Sequence, residues 1–456
     1  MDKEIGDRIG TKSDVASTPS DTIVALASGA VPAAIAVIRI SGPETRRVLE
    51  AFCGGVPDPR HASLRDIGPP HLPAIDRGLA IWFPGPASFT GEDMAELHTH
   101  GSRAVVSAVI EAVLSLPGTR LAEPGEFARR AFENGKLDLT QVEGLADLIS
   151  AETEAQRRQA LAQAEGSLRT LYEGWRIELL RAQALVEAGL DFADEGDVAA
   201  DIAVKGDAIV APLLVSISHH LADRRGERLR DGVHIVIAGP PNVGKSSLLN
   251  ALAKRDVAIV SEEAGTTRDV LEVHLDLGGL PVTLTDTAGL REAQSKVEAE
   301  GVRRALARTE QADVVLWLVD ATAPIWELPA ALETRTAICV LNKIDLERGF
   351  TPHRDCLQIS ARTGQGLDRL VEALEEQAAA HVAETGLASP LMTRARHRAE
   401  LEGARVALQR FGQPTLSPEL KAEELRIAAR HLGRLTGRID VEEVLGAIFG
   451  EFCIGK

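Results

Sequence analysis

Gly239-Pro-Pro-Asn-Val-Gly-Lys-Ser-Ser247 reads G-x-x-x-x-G-K-S, a glycine-rich pattern whose backbone N–H groups cradle phosphate oxygens. Val233-His-Ile-Val-Ile-Ala238 before it is an apolar run suited to a buried strand. Ser247-Leu-Leu-Asn-Ala-Leu-Ala253 after it opens a helical pattern. A strand, a loop and a helix in that order bring phosphate to a helix N-terminus. In this setting Lys245 reaches the β- and γ-phosphates and the Ser246 hydroxyl ligates Mg²⁺. Asn242, Val243, Gly244 and Ser247 belong to the same nucleotide-binding set.

Working downstream, Pro281-Val-Thr-Leu-Thr285 runs into Asp286-Thr-Ala-Gly289. Asp286 is placed to hold Mg²⁺ through water, and the Gly289 N–H to sense a γ-phosphate, with Thr287 and Ala288 between them. Ala337-Ile-Cys-Val-Leu341 leads into Asn342-Lys-Ile-Asp345. Asp345 suits guanine, whose N1–H and exocyclic amine both donate; adenine presents the wrong pattern. Ser360-Ala361-Arg362, after Leu357-Gln-Ile359, completes the base contacts through a backbone N–H, beside Asn342 and Lys343. Ser261-Glu-Glu-Ala-Gly-Thr-Thr-Arg-Asp269 occupies the switch I position, with Thr267 as the second Mg²⁺ ligand. These short motifs, in this order, define a GTP site. Leu290 stands where Ras-like proteins carry a water-orienting glutamine, so another group has to orient the water.

The chain has 456 residues, 45% hydrophobic and 26% charged, which suits a soluble protein of two to four domains. No apolar run approaches the length of a transmembrane helix. Residues 1–20 are polar, lack an apolar h-region, and read as a disordered extension rather than a secretory signal. The net charge of −17 makes a poor stand-alone nucleic-acid binder, so if RNA is the target a basic partner or a small local patch carries the binding; the charge serves solubility equally well. Cys53, Cys339, Cys356 and Cys453 lie far apart without metal-ligand spacing, so a reduced, cytoplasmic chain without disulfides is expected.

Residues 21–139 alternate strand runs (Ile23–Ala27, Ala33–Ile40, Gly78–Phe83, Met94–His98) with a helix from Arg103 to Leu116, an α+β domain. His98 and His100 share a strand face but have no third ligand. Residues 140–230 are helical. Leu161, Leu168, Leu171, Trp175, Leu179, Ala182, Val186 and Leu190 fall on one face, and Asp191–Asp201 is an acidic break. Residues 231–380 alternate strands and helices as a doubly wound sheet would, a Ras-like G domain. Residues 381–456 return to helical patterning and end in Phe452-Cys-Ile-Gly-Lys456. The simplest topology inserts the nucleotide domain into a helical one; a serial arrangement has the same periodicity.

The pairing of Pro-Asn-Val-Gly-Lys-Ser-Ser with Ala-Gly-Thr-Thr-Arg-Asp resembles the potassium-activated translation-factor-class GTPases. Pro124-Gly-Glu-Phe127, Arg130-Ala-Phe-Glu-Asn-Gly-Lys-Leu-Asp-Leu139 and the terminal Phe-Cys-Ile-Gly-Lys are similar to the MnmE (TrmE) family of tRNA modification GTPases, over residues 21–456. The resemblance implies a homodimer that hydrolyses GTP. With the flavoprotein MnmG, in a heterotetramer, it would place a carboxymethylaminomethyl or aminomethyl group on C5 of the wobble uridine of certain tRNAs. MnmG would bring FAD and NADH. The N-terminal domain would bind 5-formyl- or 5,10-methylene-tetrahydrofolate through Arg39, Glu96, Lys136 and Lys456. K⁺ would be held by the Asn242 side chain, the carbonyls of Ser261 and Glu263, and Thr266, within the loop that also holds Glu262, Ala264 and Gly265. Glu298 matches the family's water-orienting glutamate. Cys453, beside the terminal lysine, is an active-site candidate, as a nucleophile or as a tail residue packing near the folate. The chain departs from the family in one loop, where Ala27-Ser-Gly-Ala-Val-Pro32 replaces a run that carries an arginine. The runner-up function is a GTPase switch in ribosome assembly, sharing only the G domain. A third is a one-carbon transferase acting on a small molecule.

Overall fold

The computed structural model describes residues 21–191, 196–255, 257–259, 272–286, 312–326, 336–346, 356–382, 390–439, 442–450, 452 and 455. These fall into two compact units, one joining 21–138 to the described residues from 442 onward, the other spanning Leu139–Asp440.

In the first unit, apolar alternation builds six strands: β1 (Thr22–Leu26), β2 (Ala33–Ser41), β3 (Ser63–Ile67), β4 (Asp76–Phe83), β5 (Met94–Gly101) and β6 (Thr119–Leu121), in the order β3-β4-β5-β2-β1-β6. Neighbours are antiparallel except β1 and β6. One face packs Val24, Ile38, Ile40 and Leu97 against Val48, Leu49 and Phe52 of α1 (Thr45–Phe52) and Val109 and Val113 of α2 (Arg103–Leu114). On the alternate residues of β1, Ile23 and Ala25 pack with Phe127 of α3 (Glu126–Glu133).

The second unit begins with α4 (Leu139–Ser150), α5 (Glu154–Ala164), α6 (Ser167–Asp191), α7 (Gly196–Ala222) and α8 (Arg225–Asp231). A six-stranded sheet follows: β7 (Val233–Ala238), β8 (Glu272–Leu277), β9 (Leu280–Asp286), β10 (Val314–Asp320), β11 (Thr336–Asn342) and β12 (Leu357–Gln358), with α9 (Lys245–Leu252) and α10 (Leu367–Val382). The order is β12-β11-β10-β7-β9-β8, all parallel except the β8–β9 hairpin. β7 sits between β9 and β10, so the chain reverses its winding there; ligands of such sheets bind at the carboxyl ends of these strands. Two further helices, α11 (Ala395–Phe411) and α12 (Pro418–Leu435), return to α6 and α7. Leu168, Tyr172, Leu179, Leu213, Ile217, Leu401, Leu408, Phe411, Leu425 and Leu432 share one core. Among the described residues no helix is long and apolar enough to cross a membrane.

Four sequence expectations change. Leu161 lies on α5, 37% exposed, outside the buried face of α6. Helix α7 starts at Gly196, inside the stretch read as an acidic break. The last helix, α13 (Glu442–Gly450), was grouped with the helices of 381–456, yet it packs on α3. There a β-carbon at Gly125 would lie 2.6 Å from Phe449 O, and the Arg129 guanidinium stands 5.3 Å from the Phe449 ring centroid. Finally, Cys339 and Cys356 form a disulfide with Cα atoms 4.7 Å apart, contrary to the expected disulfide-free chain. Spacing along the chain concealed them; the parallel pairing of Val340 with Leu357 sets them side by side. Cys53 is a free, buried thiol, and burial raises its pKa to about 12. The expected extension, residues 1–20, lies outside the described residues.

Candidate functional site

The nucleotide loop is shaped by backbone that ordinary residues resist. Gly239 (φ 152°) and Gly244 (φ 101°) lie in the left-handed region, and so does Asn242 (φ 62°). A β-carbon at Gly239 would sit 2.6 Å from Leu318 O, and one at Gly244 would sit 2.4 Å from Asn342 Nδ2. Val243, 1% exposed, anchors the loop in the core below α9. Lys245, at the first position of α9, donates from Nζ to Gly239 O (2.9 Å) and Pro240 O (2.8 Å), which fixes its ammonium across the loop. Ser247 is exposed on the same helix.

Ser246 Oγ donates to Asp286 Oδ2 at 2.6 Å. Asp286 closes β9 and is 2% exposed. The two oxygens that sequence motifs assign to one ion therefore meet in space.

The residues whose motifs point to base recognition form a connected cluster. Asn342 Nδ2 donates to Val243 O (2.9 Å), and Asn342 Oδ1 accepts from Ala361 N (3.0 Å). The asparagine thus ties the phosphate loop to the Ser360–Ala361 turn. Ser360 Oγ donates to Asp345 Oδ1 at 2.7 Å, which orients that carboxylate. Lys343, with φ 67°, donates to Asn242 O (2.7 Å) and to Asp320 Oδ2 (2.5 Å). Burial pushes the Asp320 carboxyl up, but Lys343 and the two Thr322 donors outweigh it and hold it below its ordinary value. Asp320 was missed in the sequence. It is the acidic residue ending a fully buried strand, one strand from the phosphate loop. Arg362 is exposed beside the turn. Ser261, Glu262, Glu263, Ala264, Gly265, Thr266, Thr267, Thr287, Ala288, Gly289 and Glu298 lie outside the described residues, as do Cys453 and Lys456.

A second cluster lies on the first unit. Arg39 of β2 and Glu96 of β5 are register partners, bonded Nε–Oε1 (3.1 Å) and Nη2–Oε1 (2.9 Å). His98 Nε2 lies 3.3 Å from the other Glu96 oxygen. The Arg39 guanidinium stands 5.8 Å from the Phe89 and 5.7 Å from the Phe127 ring centroid. Its Nη1 donates to Gly455 O at 3.4 Å. Gly455 (φ 99°) packs so closely on β1 that a β-carbon would lie 2.1 Å from Leu26 O, so the tail is seated beside Arg39. Lys136 Nζ donates to Pro86 O (3.0 Å), in the same loop that carries Phe89. Around it, the residues of Pro124-Gly-Glu-Phe127 and Arg130 serve the fold. Glu126 and Arg130 are 4% and 7% exposed and pair at 3.0 Å, and Arg130 reaches Glu92 at 3.0 Å. Burial raises the Glu126 carboxyl, and Arg120, the Glu123 N–H and Arg130 bring it below the ordinary value. Among the described residues no group of three or more His, Cys, Asp or Glu side chains is disposed to hold a metal.

A mostly parallel sheet with a glycine-rich loop, a Ser246–Asp286 pair and a connected cluster of Asn342, Asp345 and Ser360–Ala361 at its carboxyl end defines a P-loop GTPase. The family model for the MnmE helical domain matches residues 139–453, and that for the GTP-binding protein TrmE N-terminus matches 22–136. The tRNA modification GTPase MnmE of Parvibaculum lavamentivorans is 55% identical over 442 residues, covering 96% of this chain and all of that protein. Its counterparts in Rhodopseudomonas palustris strain BisB5 and Brucella melitensis are 51% and 52% identical, over 96% of this chain and 100% and 98% of theirs. The solved G domain of the T. maritima FeoB iron transporter aligns at 27% identity over 33% of this chain and 98% of that one, with a TM-score of 0.26. The chain belongs to the MnmE (TrmE) family of tRNA modification GTPases.

Proposed function

We propose that this chain is a K⁺-activated, Mg²⁺-dependent GTPase that works in the cytoplasm as a homodimer with the flavoprotein MnmG. The complex adds a carboxymethylaminomethyl or aminomethyl group to C5 of the wobble uridine of certain tRNAs. The curated relatives, named tRNA modification GTPases, support the tRNA part of the reading. The observation that carries the GTP part is the 2.6 Å contact of Ser246 with Asp286. It gathers a hydroxyl and a carboxylate at the phosphate loop, hard oxygen donors that suit Mg²⁺. With Thr267 they would hold the ion, which neutralises charge on the phosphates when bound.

The chain's own groups do the rest. Lys245 offers its ammonium to the β- and γ-phosphates, and Asp345, steadied by Ser360, accepts from guanine. Asn242 is exposed at the loop tip with its carbonyl fixed by Lys343. Its amide oxygen, the carbonyls of Ser261 and Glu263, and Thr266 suit K⁺, which supplies positive charge where no arginine is assigned. Glu298 orients the attacking water. In the first unit, Arg39, Glu96, Lys136 and Lys456 bind a tetrahydrofolate. Guanidinium and ammonium suit its glutamate carboxylates, and the Glu96 carboxylate suits the donor edge of a pterin. Phe89 beside Arg39 gives a ring system apolar cover. Cys453, in the terminal Phe-Cys-Ile-Gly-Lys run, serves as nucleophile or as a residue packing near the folate. MnmG supplies FAD and NADH.

The K⁺ assignment is tested by GTP hydrolysis in KCl and in NaCl at equal ionic strength. Hydrolysis is expected several-fold faster in KCl, with Asn242→Ala abolishing the difference. A wild-type rate indifferent to the cation would contradict it.

A further inference from the structure

The Cys339–Cys356 bond joins the two strands that deliver the base clamp. Cys339 lies on β11, three residues before Asn342; Cys356 directly precedes β12, four residues before Ser360. β12 is an edge strand of two residues, Leu357–Gln358, paired only with β11 at Val340 and Leu341. Such a short edge offers few hydrogen bonds to hold Ser360 and Ala361 against Asn342 and Asp345. The clamp bonds, Ala361 N to Asn342 Oδ1 (3.0 Å) and Ser360 Oγ to Asp345 Oδ1 (2.7 Å), are made across that seam. Both cysteines are half-buried, open to a small reagent, whereas Cys53 is fully buried.

We propose that Cys339 and Cys356 are a reversible thiol–disulfide site that sets how tightly guanine nucleotide is retained. This rests on the reading of Asp345 and Ser360–Ala361 as the guanine clamp. The oxidant is a low-molecular-weight disulfide of the glutathione class. One thiolate of the pair attacks it, forming a mixed disulfide and expelling one small thiolate. The second cysteine thiolate then attacks the protein sulfur of the mixed bond and expels the other. Two protein thiols lose two electrons and two protons, and the small disulfide becomes two thiols. In the bonded state the covalent link keeps the 357–361 segment from drawing away from 339–345, so nucleotide leaves slowly; in the dithiol state the short strand pairing, the backbone bonds of Ile359 with Leu341 and Ile344 and the clamp bonds resist opening without it.

The test equilibrates the full-length protein in buffers of graded reduced-to-oxidised glutathione ratio, traps thiols with iodoacetamide, and measures release of a fluorescent GDP from the same samples. Cys339 and Cys356 are expected to pass together from doubly alkylated to a linked, unalkylated species two hydrogens lighter than the free dithiol, with Cys53 reduced throughout. GDP release from the bonded form is expected to be about threefold slower or more, since retention is tuned mainly through off-rates. Cys339→Ser with Cys356→Ser should lose the difference and Cys53→Ser should keep it. Two thiols that stay alkylatable at every ratio, or equal release rates from the two wild-type states, would overturn the proposal. Absence of GDP binding to the bonded and the fully reduced protein alike would instead refute the guanine reading beneath it.

Discussion

Gly244 leaves no room for a side chain. A β-carbon there would stand 2.4 Å from Asn342 Nδ2, and its φ of 101° strains any L-residue. Gly244→Ala should therefore push Asn342 away and release its hold on Val243 O. We expect at least tenfold weaker GDP binding by fluorescence titration, and a destabilisation of about 1–3 kcal/mol. Unchanged affinity would show that the Asn342 bridge does not shape the loop. At this scale the candidate residues Lys245, Ser246, Asp286 and Asp345 were legible, because they stand in motifs whose spacing phosphate and guanine chemistry dictates. The roles of Asn342 and Lys343 were not. Both hold backbone of the phosphate loop, a contact between residues a hundred positions apart that no local pattern encodes. Asp320 was hidden for the same reason, since only the register of β10 beside β7 and β11 brings it near. The disulfide was misread because two cysteines on neighbouring strands look isolated in one dimension.

Helices tell a similar story with a different blind spot. The three-, four- and seven-residue spacing of Leu168, Trp175, Leu179, Ala182 and Val186 marked the face of α6 that is buried. Periodicity names a face, not its partner, so the union with α11 and α12 had to be seen. Short elements escaped altogether. β3 is an edge strand with Leu64 and Asp66 exposed, and α1 is an eight-residue helix with paired arginines. Helices α4 and α11 are locked by Glu143, which is fully buried and accepts from Arg396 (2.8 Å twice) and from His397 Nε2 (2.8 Å). Burial pushes the Glu143 carboxyl up, but His397 and Arg396 prevail and hold it far below its usual range. Burial holds His397 below its ordinary 6.5, against the pull of Glu143. The histidine is thus neutral and donates through Nε2, which leaves its buried Nδ1 an acceptor without a partner in the structure. Both shifts act in one direction. Below 6.5 the unfolded chain takes up the histidine proton first, and below 4.5 the carboxylate proton. Stability from this pair is present above those values and is lost as pH falls. The thermal midpoint should fall from about pH 6.5 to pH 5, with a shallower slope in His397→Asn. Glu143→Gln leaves Arg396 uncompensated and should cost about 3 kcal/mol at neutral pH, measured by denaturant unfolding. An unaltered midpoint would remove the pair from the account.

For the whole molecule, a net charge of −17 sets the constraint. Many described arginines are already committed to carboxylates, among them Arg130, Arg230, Arg394, Arg396 and Arg398. These described arginines are neutralised in place by carboxylates rather than presented to a phosphate backbone. The family assignment spans both units, through matches to 22–136 and 139–453. The most direct test is mass spectrometry of tRNA nucleosides from cells with and without this protein. Carboxymethylaminomethyl or aminomethyl uridines should disappear on deletion and return with the wild-type chain but not with Asp286→Ala. Wobble uridines unchanged by deletion would contradict the tRNA role while leaving the GTP site intact.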